Sequence, residues 1–171
     1  MIEAAWLLIA ERGLEGMSTR EVLARTGAPR GSVYHYFPRG RTELIEQAID
    51  HSRAWMDRQV AAIRAQTPAE VVTGYLRIWR RILKATSFHA GCAVTGVITG
   101  AQDTGLLDRA AAAYSASADA LAAQFRNVGV PETDAAQRAA LLVIAAEGAV
   151  LIARAQRSTE PLRLVAEHFT R

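Results

Sequence analysis

Apolar residues recur at three- and four-residue intervals through most of the chain, and no stretch of convincing length alternates apolar with polar, so the pattern predicts an all-α protein. The opening MIEAAWLLIA reads as a helix and not as a signal sequence, because it lacks a basic leading region and Glu11 and Arg12 follow at once. A second helix starts at Ser18. Its side chain can accept from the backbone N–H three residues on while Glu21 reaches back, and Met17 and Val22 occupy the positions of a hydrophobic staple. Val22, Leu23 and Ala24 anchor it, and Gly27 suits a left-handed stop after Thr26. The third helix is predicted to begin at Pro29, a residue with no N–H to leave unpaired in a first turn, and to end at Pro38 and Gly40. Val33 and Phe37 face the preceding helix, whereas Arg30, Ser32, Tyr34 and His35 face outward.

Downstream, Thr42 to Ala65 predicts one long helix, with Leu44, Ile45, Ala48, Ile49, Trp55, Met56, Val60 and Ile63 along one stripe. At about 1.5 Å per residue it spans roughly 35 Å, enough to couple two domains mechanically. Pro68 and Glu70 open the next helix, whose apolar face is Val71, Val72, Tyr75, Leu76, Ile78, Trp79, Ile82 and Leu83. Phe88, His89 and Gly91 break it, and the small-residue segment GCAVTGVITGAQ is expected to lie buried, letting another element approach closely. Leu106 to Val128 is a strong helix former stopped by Gly129. After Pro131 comes AALLVIAAEGAVLIA, apolar nearly all round; at about fifteen residues, with Glu147 inside, it is too short and too charged for a membrane span. A helix without a polar face must be covered on both sides. A second copy of the chain is the natural cover, and the last helix, with Leu162, Val165, Ala166 and Phe169 at helical spacing, adds a further stripe.

Two short helices joined by a glycine turn, the second displaying a guanidinium, a hydroxyl, a phenol and an imidazole, form a unit able to place donors against guanine edges and phosphate oxygens in a major groove. Gly31 permits close approach of the backbone. The net charge of +3 fits an anionic partner. Its distribution says more, because Arg12, Arg20, Arg25, Arg30, Arg39 and Arg41 crowd the N-terminal segment and imply a phosphate-facing surface. The competing reading is an ordinary αα-hairpin with solvated charges.

The wording of the segment separates the two. GAPRGSVYHYFPRGRTEL, preceded by EAAWLLIAERGLEGMS, closely resembles the DNA-reading end of TetR-family transcriptional regulators, over about the first quarter of the chain. In that likeness Gly13 ends the first helix and Leu14 tucks beneath it. The arginine after Pro29, the residue inserted before glycine in FPRGR, and Cys92 in a GCAV context after a histidine are similar to the LmrA/YxaF-like branch, although Ala93 replaces its usual proline. The resemblance implies an all-α fold with an N-terminal three-helix helix-turn-helix domain, residues 1–41, and a helical ligand-binding and dimerisation domain, residues 42–171. Members begin several residues earlier with a basic arm, so it also implies residues ahead of Met1.

The expected DNA-facing set is Ser18, Thr19, Arg20, Pro29, Arg30, Gly31, Ser32, Tyr34, His35, Tyr36 and Arg41. Arg30 and Ser32 are candidates for base edges; Thr19, Tyr34, His35 and Arg41 are candidates for the phosphate backbone. The expected function is a repressor that binds an inverted-repeat operator as a homodimer, pairs its last two helices across the twofold axis, and is released by a small molecule. The branch resemblance implies a planar aromatic or drug-like inducer. Trp79, Phe88, Cys92, Thr95, Thr99 and Tyr114 are the candidate pocket residues, an apolar set with a few polar groups, and plain core packing is the alternative for each.

The remaining chemistry is sparse. His35, His51, His89 and His168 are scattered without metal-site spacing, so neither a metal nor another cofactor is expected. A single cysteine excludes an intramolecular disulfide and points to a reducing, cytoplasmic setting. Ser87 or Cys92 with His89 could form a nucleophile and base, but no third orienting group or oxyanion motif accompanies them, so an enzyme is not expected. Glu147 needs a partner: an arginine such as Arg154 or Arg157 near the seam, a backbone donor, or a cationic ligand group. Operator bases, inducer, regulated genes and the sign of regulation are not written in the sequence.

Overall fold

Helices are the only regular elements among residues 1–170, which the computed structural model describes: α1 (Ile2–Arg12), α2 (Thr19–Thr26), α3 (Ser32–Tyr36), α4 (Arg41–Ala61), α5 (Pro68–Ala85), α6 (Ala93–Ile98), α7 (Thr104–Asn127), α8 (Glu132–Gln156) and α9 (Glu160–Phe169). They form two compact units, one of Met1–Ala54 with Cys92–Ala113, the other of Trp55–Gly91 with the chain from Tyr114 onward. Both α4 and α7 run from one unit into the other.

In the first unit, Ala5, Leu8 and Ile9 of α1, Met17, Val22, Val33, Phe37, Leu44, Ile45 and Ile49 are buried. Each large side chain removed from water contributes about 1.5–3 kcal/mol, so this short segment carries a core of its own. The helix ends follow local chemistry. Ser18 Oγ accepts from the N–H of Glu21 at 3.1 Å, Met17 and Val22 are fully buried as a staple requires, and Gly27 takes the left-handed conformation at φ 68°. Helix α3 departs from expectation at its start. It begins at Ser32, and Pro29 and Arg30 lie in the preceding turn, closed by the Ser32 N–H donating to the Pro29 carbonyl at 3.0 Å. The small-residue segment after Gly91 is the short helix α6, packed on α1. A Cβ added to Gly96 would lie 2.8 Å from the Ile9 carbonyl oxygen, so the two backbones approach as closely as glycine alone allows.

In the second unit α5 packs on α8 and α9. Thr67 caps α5 by accepting from the Glu70 N–H at 3.2 Å, and Glu70 accepts from the Gln66 N–H at 2.6 Å, a reciprocal capping box; α4 ends at Ala61, short of the predicted Ala65. Val71, Val72, Tyr75, Leu76, Ile78, Trp79 and Leu83 are buried as their spacing predicts, and Ile82 is half-buried.

Helix α8 spans 25 residues, so the reading of a segment too short to cross a membrane is corrected: by length and composition it is long enough. Within this unit Ala135, Ala139, Leu142, Val143, Ala146, Ala149, Val150 and Ala153 bury one side of it. Leu141, Ile144, Leu151 and Ile152 on its other side, and Leu164 on α9, stay between 49% and 68% exposed.

Candidate nucleic-acid interface

The turn and helix α3 are held from below by Val33 and Phe37, both buried, and so present their other side to solvent. Tyr34 and Tyr36 are 70% and 64% exposed. His35 is exposed and meets Tyr36 edge to face at 4.8 Å, while the Tyr34 ring lies over the backbone of Gly40. Pro29, Arg30 and Gly31 are exposed; Ser32 is half-buried at the first helical position. At the start of α2, Arg20 is exposed and Ser18 and Thr19 are half-buried, with the Ser18 hydroxyl engaged as the cap.

The arginines of this segment divide into three groups. Arg12 pairs with Glu21 at 3.4 Å, Arg25 with Glu11 at 2.9 Å, and Arg39 with Glu46 at 2.5 Å. The Arg39 hydrogen bond and charge pull the Glu46 carboxyl below its ordinary range. Arg41 donates from Nε to the Met17 carbonyl at 2.9 Å and from Nη2 to the Leu14 carbonyl at 2.7 Å, tying the start of α4 to the turn before α2. Arg20 and Arg30 make no ion pair among the described residues. The uniform phosphate-facing field suggested by composition is therefore narrowed to these two, because carboxylates brought in by folding neutralise three of the others. No spacing rule in the sequence reveals those pairings.

The six candidate effector residues fall as two sets of three. Trp79 is buried on α5, and its indole N–H has no hydrogen-bond partner among the described residues; Phe88 and Tyr114 are half-buried in the same unit. Cys92 and Thr95 are half-buried at α6 of the other unit, and Thr99 is exposed with its hydroxyl donating to the Thr95 carbonyl at 3.1 Å. Ser87 and Phe88 adopt positive φ, 48° and 65°, where α5 breaks. His89 directs Nδ1 at the Thr86 carbonyl at 3.0 Å, which makes that nitrogen the donor and leaves Nε2 as the ring's acceptor. Arg154 donates to the His89 carbonyl at 2.8 Å, and Glu147 is half-buried. No three metal-ligating side chains converge among the described residues.

Comparison with known proteins decides the family. Residues 1–48 match the bacterial regulatory protein tetR family, and residues 68–168 match the C-terminal domain of LmrA/YxaF-like transcriptional regulators. The chain belongs to the TetR family. Among TetR-family relatives, an HTH-type transcriptional regulator of Mycobacterium tuberculosis is 37% identical, covering 96% of this chain and 88% of its own length. The HTH-type transcriptional regulator LmrA of Bacillus subtilis is 25% identical over 95% of this chain and 88% of its own. In three dimensions the regulatory protein TetR of Rhodobacter sphaeroides superposes with a TM-score of 0.86 at 21% identity, over 99% of this chain and 94% of that one. This TetR-family chain is thus a transcriptional regulator with an N-terminal helix-turn-helix DNA-binding domain, and not an enzyme.

Proposed function

We propose that the protein is a cytoplasmic, homodimeric repressor that binds an inverted-repeat operator through residues 1–41 and binds a small effector and its second copy through residues 42–171. The observation that carries the DNA-facing assignment is the division of α3 into two sides. Val33 and Phe37 are locked in the core, while Tyr34, His35 and Tyr36 stand exposed in a segment whose Arg20 and Arg30 meet no carboxylate among the described residues. A rigid, cationic, hydroxyl-rich edge of this kind suits a duplex. Arg30 and Ser32 read base edges, and Thr19, Tyr34 and His35, joined by Arg20, contact phosphates. Arg41 is set apart from the phosphate set because two of its five N–H donors hold the Leu14 and Met17 carbonyls and fix the guanidinium against the turn.

The exposed stripe of Leu141, Ile144, Leu151 and Ile152, with Leu164, supports pairing of α8 and α9 with a second copy. Twofold symmetry then sets recognition elements about 34–36 Å apart on the operator. Trp79 supports the effector site: a buried indole N–H without an acceptor costs about 1–3 kcal/mol, which an effector carrying an oxygen or nitrogen acceptor would recover. Phe88 and Tyr114, half-buried in the same unit, complete that set, and Cys92, Thr95 and Thr99 in the other unit are no part of it. A preference of about 1.4 kcal/mol for the DNA-free conformation is enough to lower operator affinity tenfold.

The test begins with selection of bound duplexes from a random pool, followed by anisotropy titrations across salt. Arg30→Ala is expected to relax preference at one or two base pairs, whereas Arg20→Ala weakens every duplex alike and lowers the salt slope by about one. Enrichment of no inverted repeat, or an unaltered preference in Arg30→Ala, overturns the assignment.

A further inference from the structure

We propose that the groove between α5 and α9 is a binding site for a small anion with an apolar body, such as an aryl or alkyl carboxylate, separate from the effector residues named above. The groove encloses about 300 Å³, the lower end of the range of about 300–1,000 Å³ usual for small-molecule sites. Leu76 and Leu162, both buried, and Ala166 form its apolar floor. Arg77 and Arg80 line it from α5, exposed and without an ion pair among the described residues.

The α9 wall carries one net negative charge, fewer than the two positive charges of Arg77 and Arg80. Arg163 is held by Glu160 and Glu167, so the two α5 arginines set the sign of the groove. Those arginines belong to a run that opposes its own helix: Arg77, Arg80, Arg81 and Lys84 are neighbours three or four residues apart, and no carboxylate lies between Val71 and Ala85. Like charges at these spacings destabilise a helix, and interleaved glutamates would remove the conflict. Lys84 in the last turn is favoured by the helix dipole and Arg81 donates to Gln59 at 2.9 Å, which leaves Arg77 and Arg80 as the uncompensated pair and marks them as positions kept for a partner. Two guanidinium groups side by side can grip one carboxylate through parallel N–H donors, while its hydrocarbon covers Leu76 and Leu162. The Thr159 hydroxyl, which makes no capping bond at α9, is a further donor at the rim.

The intact protein, methyl-labelled at leucine and alanine, is titrated with benzoate, with its neutral isostere benzamide, and with inorganic phosphate, which lacks the apolar body. Saturable shifts at the Leu76, Leu162 and Ala166 methyls are expected with benzoate, and binding at least about tenfold weaker with the other two. The double variant Arg77→Gln, Arg80→Gln is expected to lose at least about tenfold in benzoate affinity, and Arg126→Gln, on a different surface, to lose none. If the double variant fails to fold, the benzoate-to-benzamide ratio in the wild type decides alone. Absence of saturation, shifts confined to other methyls, benzamide or phosphate binding as tightly as benzoate, or a folded double variant of unchanged affinity overturns the proposal.

Discussion

Replacing Arg41 with alanine separates two roles that composition alone assigns to one residue. The guanidinium makes two charge-assisted bonds, to the carbonyls of Met17 at 2.9 Å and Leu14 at 2.7 Å. Bonds to charged groups are each worth about 1.5–3 kcal/mol, but Arg41 is exposed and water can replace part of what is lost, so the net cost is roughly 2–3 kcal/mol. For a chain of this length that lowers Tm by about 4–12 °C. Thermal and urea unfolding followed by circular dichroism read the global effect. Hydrogen exchange reads the local one, with faster exchange at the amides of Leu14 and Met17, which donate to Gly96 and Leu14 at 3.2 Å each. Arg41→Lys recovers only part of the loss, because an ammonium cannot span both carbonyls as the planar fork does. DNA affinity falls with the integrity of the turn, but its salt slope stays as in the wild type. An unchanged Tm together with a salt slope lowered by about one would refute the reasoning and return Arg41 to the phosphate backbone.

Gly96→Ala forces a methyl to within 2.8 Å of the Ile9 carbonyl oxygen and 3.1 Å of its Cγ2, so urea denaturation should show a loss of about 1–3 kcal/mol. Ile144→Asp puts a carboxylate on a site 68% exposed in the single chain; on the proposed pairing, sedimentation is expected to find the wild type dimeric and the variant monomeric with its helix content retained. Glu46 has its carboxyl lowered by Arg39, so its contribution to stability is present above the unfolded value and is lost as pH falls through the lower folded value. Stability curves of wild type and Glu46→Gln should therefore differ by no more than about 1 kcal/mol at neutral pH and converge in acid, and parallel curves would contradict the pairing.

What the sequence determined by itself lies within a turn or two of each residue. Ser18 with Glu21, Pro68 with Glu70, and Gly27 mark helix ends because the groups that set them are adjacent in the chain, although the structure, not the sequence reading, identifies Thr67 as the cap itself. The inward faces of α2, α3 and α5 follow from helical spacing, and the exposed apolar side of α8 follows from a segment with too few polar residues to clothe it. Pro29 misled because a proline suits a turn as well as a first helical position, and the Pro29–Ser32 turn delays α3. Tertiary structure alone decided which charges remain available. Arg25 meets Glu11 across 14 residues and Arg41 meets Leu14 across 27, whereas Arg20 and Arg30 meet no carboxylate among the described residues. It also placed α6 on α1, and α5 against α9, where their side chains make a groove that neither helix contains. The physical reason is range: caps and periodicity act between neighbours along the backbone, whereas ion pairs and grooves depend on distances that exist only after distant segments have packed.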